Sequence, residues 1–140
     1  MKNPLKLQKV DPKKLNARQK ENYNFQKASG VLADFGFTTI RLSDDWNGAD
    51  FIAQHVDGKT MLRVQLKGRL DVRKKYQGKD LWLCFPAGGE WYLCPHDKIL
   101  DYLLTVKGIG RQESWHKQGG WSYPRLPGHA SNYLARFVLK

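Results

Sequence analysis

Between residues 61 and 70 the chain alternates apolar and polar positions. Leu62, Val64 and Leu66 fall on one side of an extended segment, and Arg63, Gln65, Lys67 and Arg69 on the other. This period of two predicts a strand over "MLRVQLKGRL", residues 61–70. "DFIAQHV" (50–56) reads as its antiparallel neighbour, joined through the hairpin turn "DGKT". "FTTIRL" (37–42) reads as a strand before them, with "SDDWNGA" (43–49) as the intervening loop. Upstream the period lengthens to that of a helix. Asp11 serves as N-cap, Pro12 takes the first helical position, and the helix runs to about Phe35 and stops at Gly36. Residues 1–10 form an arm.

Beyond the alternating segment, "DVRKKYQGKD" (71–80) reads as a basic loop, and "LWLCF" and "EWYLC" as strands around the turn "PAGG". His96 or Asp97 opens a second helix through "DKILDYLLTV". The last third predicts a short hairpin turning at Gly119 and Gly120, then a final helix, "NYLARFVLK", capped by Ser131. The outline is one α/β or α+β domain over residues 1–140, with a core at about 11–105 and a C-terminal elaboration at 106–140 that contacts DNA or a second subunit.

Composition narrows the partners. Of 140 residues, 41% are hydrophobic, enough for one folded core rather than disorder. No apolar run is long enough to span a bilayer, and the basic start lacks the apolar centre of a signal peptide, so a cytoplasmic protein without a membrane role is expected. Cys84 and Cys94 lie inside predicted strands with no metal-binding spacing, which points to buried reduced thiols. The four histidines also lack ligand spacing. Lys and Arg number 24 against 13 Asp and Glu, a net charge of +11. Between residues 59 and 79 Asp71 is the only acid among eight basic side chains. Such clustering favours a polyanionic partner, DNA first and RNA second.

Within this basic chain a few acids stand out. On the first helix Ala17, Phe25, Ala28, Leu32 and Phe35 share an arc of about 80°. Glu21 falls in the middle of it. A carboxylate on a packing stripe either overhangs the sheet into water or reaches a place where other polar groups converge. Asp50 opens the second strand, and Gln65 and Lys67 share a face of the third. Two carboxylates and an amide oxygen are hard ligands suited to Mg²⁺, with Mn²⁺ as an alternative, and Lys67 adds a point charge beside them. Asp44 and Asp45 read as turn residues, and Trp115 and Trp121 are less easily assigned to the core than the other tryptophans.

"GADFIA" followed by "LRVQLKGR" resembles the core of the PD-(D/E)xK nuclease superfamily over roughly residues 15–105. The resemblance implies a restriction-endonuclease-like fold, a small mixed sheet flanked by helices. It implies a Mg²⁺-dependent DNA endonuclease of homing, junction-resolving, repair or restriction type, with Glu21, Asp50, Gln65 and Lys67 as catalytic residues and the first three as metal ligands. Arg63, Arg69, Arg73, Lys74, Lys75 and Tyr76 would then hold the nucleic-acid backbone. A homodimer or higher homo-oligomer would suit cleavage of both strands. Two positions depart from the pattern: Gln65 stands where the family usually has an acid, and Ala49 where the motif has Pro. The amide keeps an oxygen ligand and drops a negative charge. A nuclease-derived module that binds DNA or RNA without cutting is the alternative.

Overall fold

A computed structural model describes residues 4–140. The first three positions of the expected arm lie outside the described residues. Helix α1 spans Ala17–Asp34. It begins five residues later than Asp11 predicts. Asp11 and Pro12 do act as a start signal, but for a single 3₁₀ turn, Pro12–Lys14, whose Lys13 N–H donates to Asp11. The chain then re-extends at Leu15, and Asn16 caps α1 in a reciprocal box: Gln19 N–H donates to Asn16 Oδ1 at 2.9 Å, and Asn16 N–H to Gln19 Oε1 at 3.0 Å.

Strand β1 covers Phe37–Trp46, β2 Ala49–His55 and β3 Met61–Leu66. The expected loop at 43–49 is mostly strand. β1 bulges after Arg41 and resumes pairing at Trp46 opposite Ala49. Only Asn47 and Gly48 turn the chain, with φ of 52° and 88°, the double left-handed geometry of a tight hairpin. Gly48 is required twice over, because a Cβ there would sit 2.8 Å from both Leu81 and Tyr76.

β3 ends at Leu66, short of the expected Leu70, although Lys67 N–H still donates to Cys84 O at 2.9 Å. The basic segment that follows is not all loop. It forms β4 (Asp71–Arg73) and a 3₁₀ turn, Lys74–Tyr76, before β5 (Leu81–Ala87) pairs with β3 in parallel. β6 (Glu90–Pro95) returns antiparallel, and α2 (His96–Thr105) follows with His96 as its first residue.

The C-terminal third differs most from expectation. There is no hairpin at Gly119 and Gly120. Gly119, at φ 67°, ends α3 (Glu113–Gln118), and Gly120 begins β7 (Gly120–Ser122), which pairs with β4 in a two-stranded sheet. The last helix, α4, spans Gly128–Leu134 and contains Ser131 rather than being capped by it. The closing residues form β8 (Val138–Leu139), which pairs with β6.

The result is a mixed α/β fold with a six-stranded mixed sheet, in the order β1-β2-β3-β5-β6-β8. α1 covers one face, burying Ala28 and Leu32 against Phe51, Ala53, Val64, Cys84 and Leu93. On the other face Leu83, Phe85, Tyr92 and Cys94 pack with Ile99, Leu100, Leu103, Trp115 and Leu134. Residues after 105 thus add Ile109, Trp115, Ala130 and Leu134 to the core on this face. Both cysteines are free and buried, with thiol pKa values pushed up by burial to about 12. Among the described residues no helix is long and apolar enough to cross a membrane.

Candidate functional site

β2 and β3 part at one end, where their last paired residues are Phe51 and Val64. Beyond that pair the Asp50 carboxylate takes over from the backbone: its Oδ2 accepts the Leu66 N–H at 2.8 Å. The first turns of α1 overhang this opening. Only Ala28 and Leu32 of the stripe are buried, and Ala17 is exposed. The two readings of Glu21 thus meet, since the overhang is the wall of a cleft of about 1020 Å³ lined by Glu21, Asp50, Gln65 and Lys67 together. Asn24, one turn further along α1, lines it as well, and Gln26 does not.

Gln65 is 7% exposed, and no described residue hydrogen-bonds its amide. Its amide atoms are not among the described polar atoms sealed in the core without a partner, which are Trp121 Nε1 and Ser122 Oγ, so the amide opens onto the cleft. Glu21 is exposed and makes no salt bridge with a described residue. The Asp50 side chain is open to the cleft, yet crowding strips enough water to raise its carboxyl above the usual 3.8, with repulsion from Glu21 and Asp45 adding to the effect. Lys67 is shifted the opposite way. Burial lowers its ammonium below 10.5, and Arg73 and Lys75 lower it further against the pull of Asp71 and Asp50. Its Nζ lies 5.5 Å from the centre of the Tyr76 ring.

Two carboxylates that repel each other and an amide with no hydrogen bond to a described residue line one cleft, oxygen donors of the kind a hard divalent cation takes. No group of three or more His, Cys, Asp or Glu side chains able to hold a metal occurs among the described residues. Glu21, Asp45 and Asp50 share the cleft without forming such a group.

The basic residues divide. Arg69, Lys74 and Lys75 are exposed. The Arg63 guanidinium lies over the Trp46 ring, 4.9 Å from its centre. Arg73 is committed elsewhere, in a two-pronged bond to buried Asp71 at 2.7 and 3.0 Å. Tyr76 is 8% exposed, and its ring supports Lys67 and Lys75 instead of facing solvent. Trp115 is buried at 6%, and Trp121 packs against the same core, so neither presents a free face for a base.

Further polar residues line the cleft, Arg18, Lys20, Ser43 and Asp44 among them, and two others, Arg41 and Asp45, make hydrogen bonds there. Arg41 donates to Asn22 Oδ1 at 2.6 Å and lies over Phe25. Asp45 lines the cleft and accepts the Gly48 N–H at 2.9 Å. The Asn-Gly pair was the available signal. Read as a two-residue turn, it makes 41–46 strand and brings those side chains to the opening.

The basic segment is held in place from α2. Arg73 N–H donates to His96 Nε2 at 3.1 Å, and Gly78 N–H donates to Asp97 Oδ2 at 2.9 Å. With Nε2 accepting, His96 is neutral and donates from Nδ1 to Asp97 Oδ1 at 3.0 Å. Burial pushes the His96 pKa below the 6.5 of a free histidine, against the opposing pull of Asp97 and Asp71. The unfolded chain therefore takes up this proton first as pH falls. Stability from this group is complete above 6.5 and is lost as pH drops from there through the folded value. The melting temperature of the parent protein is expected to fall between pH 7 and 5 more steeply than that of His96→Gln. Parallel melting curves would show that His96 does not contribute.

Comparison with family models, with curated proteins and with solved structures gave no match.

Proposed function

We propose that the chain is a divalent-metal-dependent DNA endonuclease of the PD-(D/E)xK type, with a restriction-endonuclease-like core. The observation that carries this reading is the shared cleft: Glu21 from α1, Asp50 from β2, and Gln65 and Lys67 at the end of β3 line one opening. The order of one helix and three antiparallel strands, with the next sheet strand parallel to the third, supports it. So does the exposed basic surface of Arg69, Lys74 and Lys75 beside Lys67.

Glu21, Asp50 and the Gln65 amide oxygen would hold Mg²⁺ or Mn²⁺. A bound cation supplies Lewis acidity to a phosphoryl oxygen and acidity to a coordinated water. In the reaction a water oxygen bonds to phosphorus while the bond from phosphorus to one sugar oxygen breaks, and the departing oxygen takes a proton from solvent. The Lys67 ammonium, partly stripped of water, stabilises charge gathering on the phosphate more strongly than an exposed lysine would. Arg69, Lys74 and Lys75 position the backbone without reading bases.

A second reading, a nuclease-like scaffold that only binds DNA or RNA, is favoured by one observation: no three-acid cluster exists among the described residues. Incubation with supercoiled, linear and branched DNA separates the two readings. The nuclease reading expects nicks or breaks with Mg²⁺ or Mn²⁺ and none in EDTA. Binding that ignores metal, with every substrate left intact, would support the scaffold.

A further inference from the structure

Gly68 lines two clefts. The second, about 680 Å³, lies between the end of β3, the β5–β6 turn and the loop that leads into α4. Its charge is positive. Arg69 and Arg125 are exposed, and neither is ion-paired with a described residue. Its one acid, Glu90, is engaged by Lys140 at 3.0 Å. Half-buried Tyr123 meets the Trp121 and His129 rings edge-on, 6.1 Å from each, and is anchored by its N–H to Leu70 O at 3.0 Å; unlike Trp121, it also lines this cleft. The Tyr123 hydroxyl meets no hydrogen-bond partner among the described residues.

Unpaired guanidiniums beside a tyrosine ring match the two halves of a nucleotide, its phosphate and its flat base. The size of the cleft selects further. The cleft, about 680 Å³ and open on one side, has room for roughly one or two nucleotides. A base that reaches the Tyr123 ring inside it has left its pairing partner.

We propose that the cleft at Tyr123 and Arg125 receives unpaired nucleotides of a DNA strand whose neighbouring phosphate lies in the first cleft, so that the favoured substrate is branched, gapped or frayed DNA. The placement of that phosphate rests on the nuclease reading. The affinity of the second cleft for a single strand does not.

Fluorescence anisotropy in EDTA, with a short labelled oligothymidylate and a blunt duplex as probes, tests this directly. Tyr123→Ala and Arg125→Ala are each expected to bind the single strand about tenfold more weakly. Tyr123→Phe, which keeps the ring, should bind it as the parent does, and blunt-duplex affinity should be unchanged in all three. Equal single-strand affinity across the variants, or a duplex loss of the same size, overturns the proposal. Intact single-strand binding with no cleavage of any substrate in Mg²⁺ supports the second cleft and overturns the nuclease reading alone.

Discussion

Asp50→Asn is expected to cut Mg²⁺-dependent DNA cleavage by at least about 100-fold while leaving the melting temperature unchanged or raised. The rate estimate follows from metal chemistry: losing a group that merely supports a metal ligand already costs roughly 10–100-fold, and Asp50 would be a direct ligand. The stability estimate follows from sign. The folded carboxyl pKa lies above 3.8, so the folded protein binds this proton more tightly than the unfolded chain. Ionised Asp50 therefore costs stability, beginning as pH rises past 3.8 and in full above the folded value. Asn carries no charge and can still accept the Leu66 N–H that Asp50 accepts at 2.8 Å. A structural aspartate would behave oppositely, and a marked drop in melting temperature would assign it that role. Lys67→Ala in the same assay should cost roughly 100- to 1000-fold, as for a charge-stabilising donor removed from a catalytic site.

Gln65→Glu should produce two opposite effects in one protein. Without metal, a third carboxylate joins Asp50 and Glu21 at a position that is 7% exposed. Burial and like charge both oppose its ionisation, which at neutral pH is expected to lower the melting temperature by several degrees, on the order of 1–3 kcal/mol. With saturating Mg²⁺ the same carboxylate becomes a ligand, so the loss should be recovered and metal affinity should exceed that of the parent. Differential scanning calorimetry in EDTA and in Mg²⁺ measures both. A variant equally destabilised under both conditions would mean that position 65 does not face a cation.

Much of the lining of the candidate cleft was legible in one strand. The alternation at 62–67 placed Gln65 and Lys67, and the acid after "NGA" placed Asp50. Glu21 was legible as an acid out of place on a packing stripe, but the stripe itself overstated the packing. Ala17 and Phe35 lie at its ends and stay exposed, because a helical arc says which way side chains point and not how far the sheet beneath extends.

The misreadings share a cause, which is that local signals were real but served a different element. Asp11 and Pro12 start a 3₁₀ turn, and the better cap, Asn16 with Gln19 three residues on, starts the helix. Gly119 turns the chain as expected, but as the end of a helix rather than the tip of a hairpin. Nothing local announces that "DVR" pairs with "GWS" across nearly fifty intervening residues, nor that Val138 and Leu139 join the main sheet. Such pairings are decided by the packing of distant segments. Arg73 shows the same limit for function. It sits in a basic run that reads as a phosphate contact, while Asp71, two residues away on the same strand face, holds its guanidinium.

The central claim is that Asp50 and Gln65 face a cation. Anomalous diffraction from crystals soaked in Mn²⁺ tests it directly. The account predicts a peak in the cleft within about 2.5 Å of an Asp50 carboxylate oxygen and the Gln65 amide oxygen, absent in Asp50→Asn crystals. A cleft with no peak at saturating Mn²⁺, in a protein that still binds DNA, would contradict it.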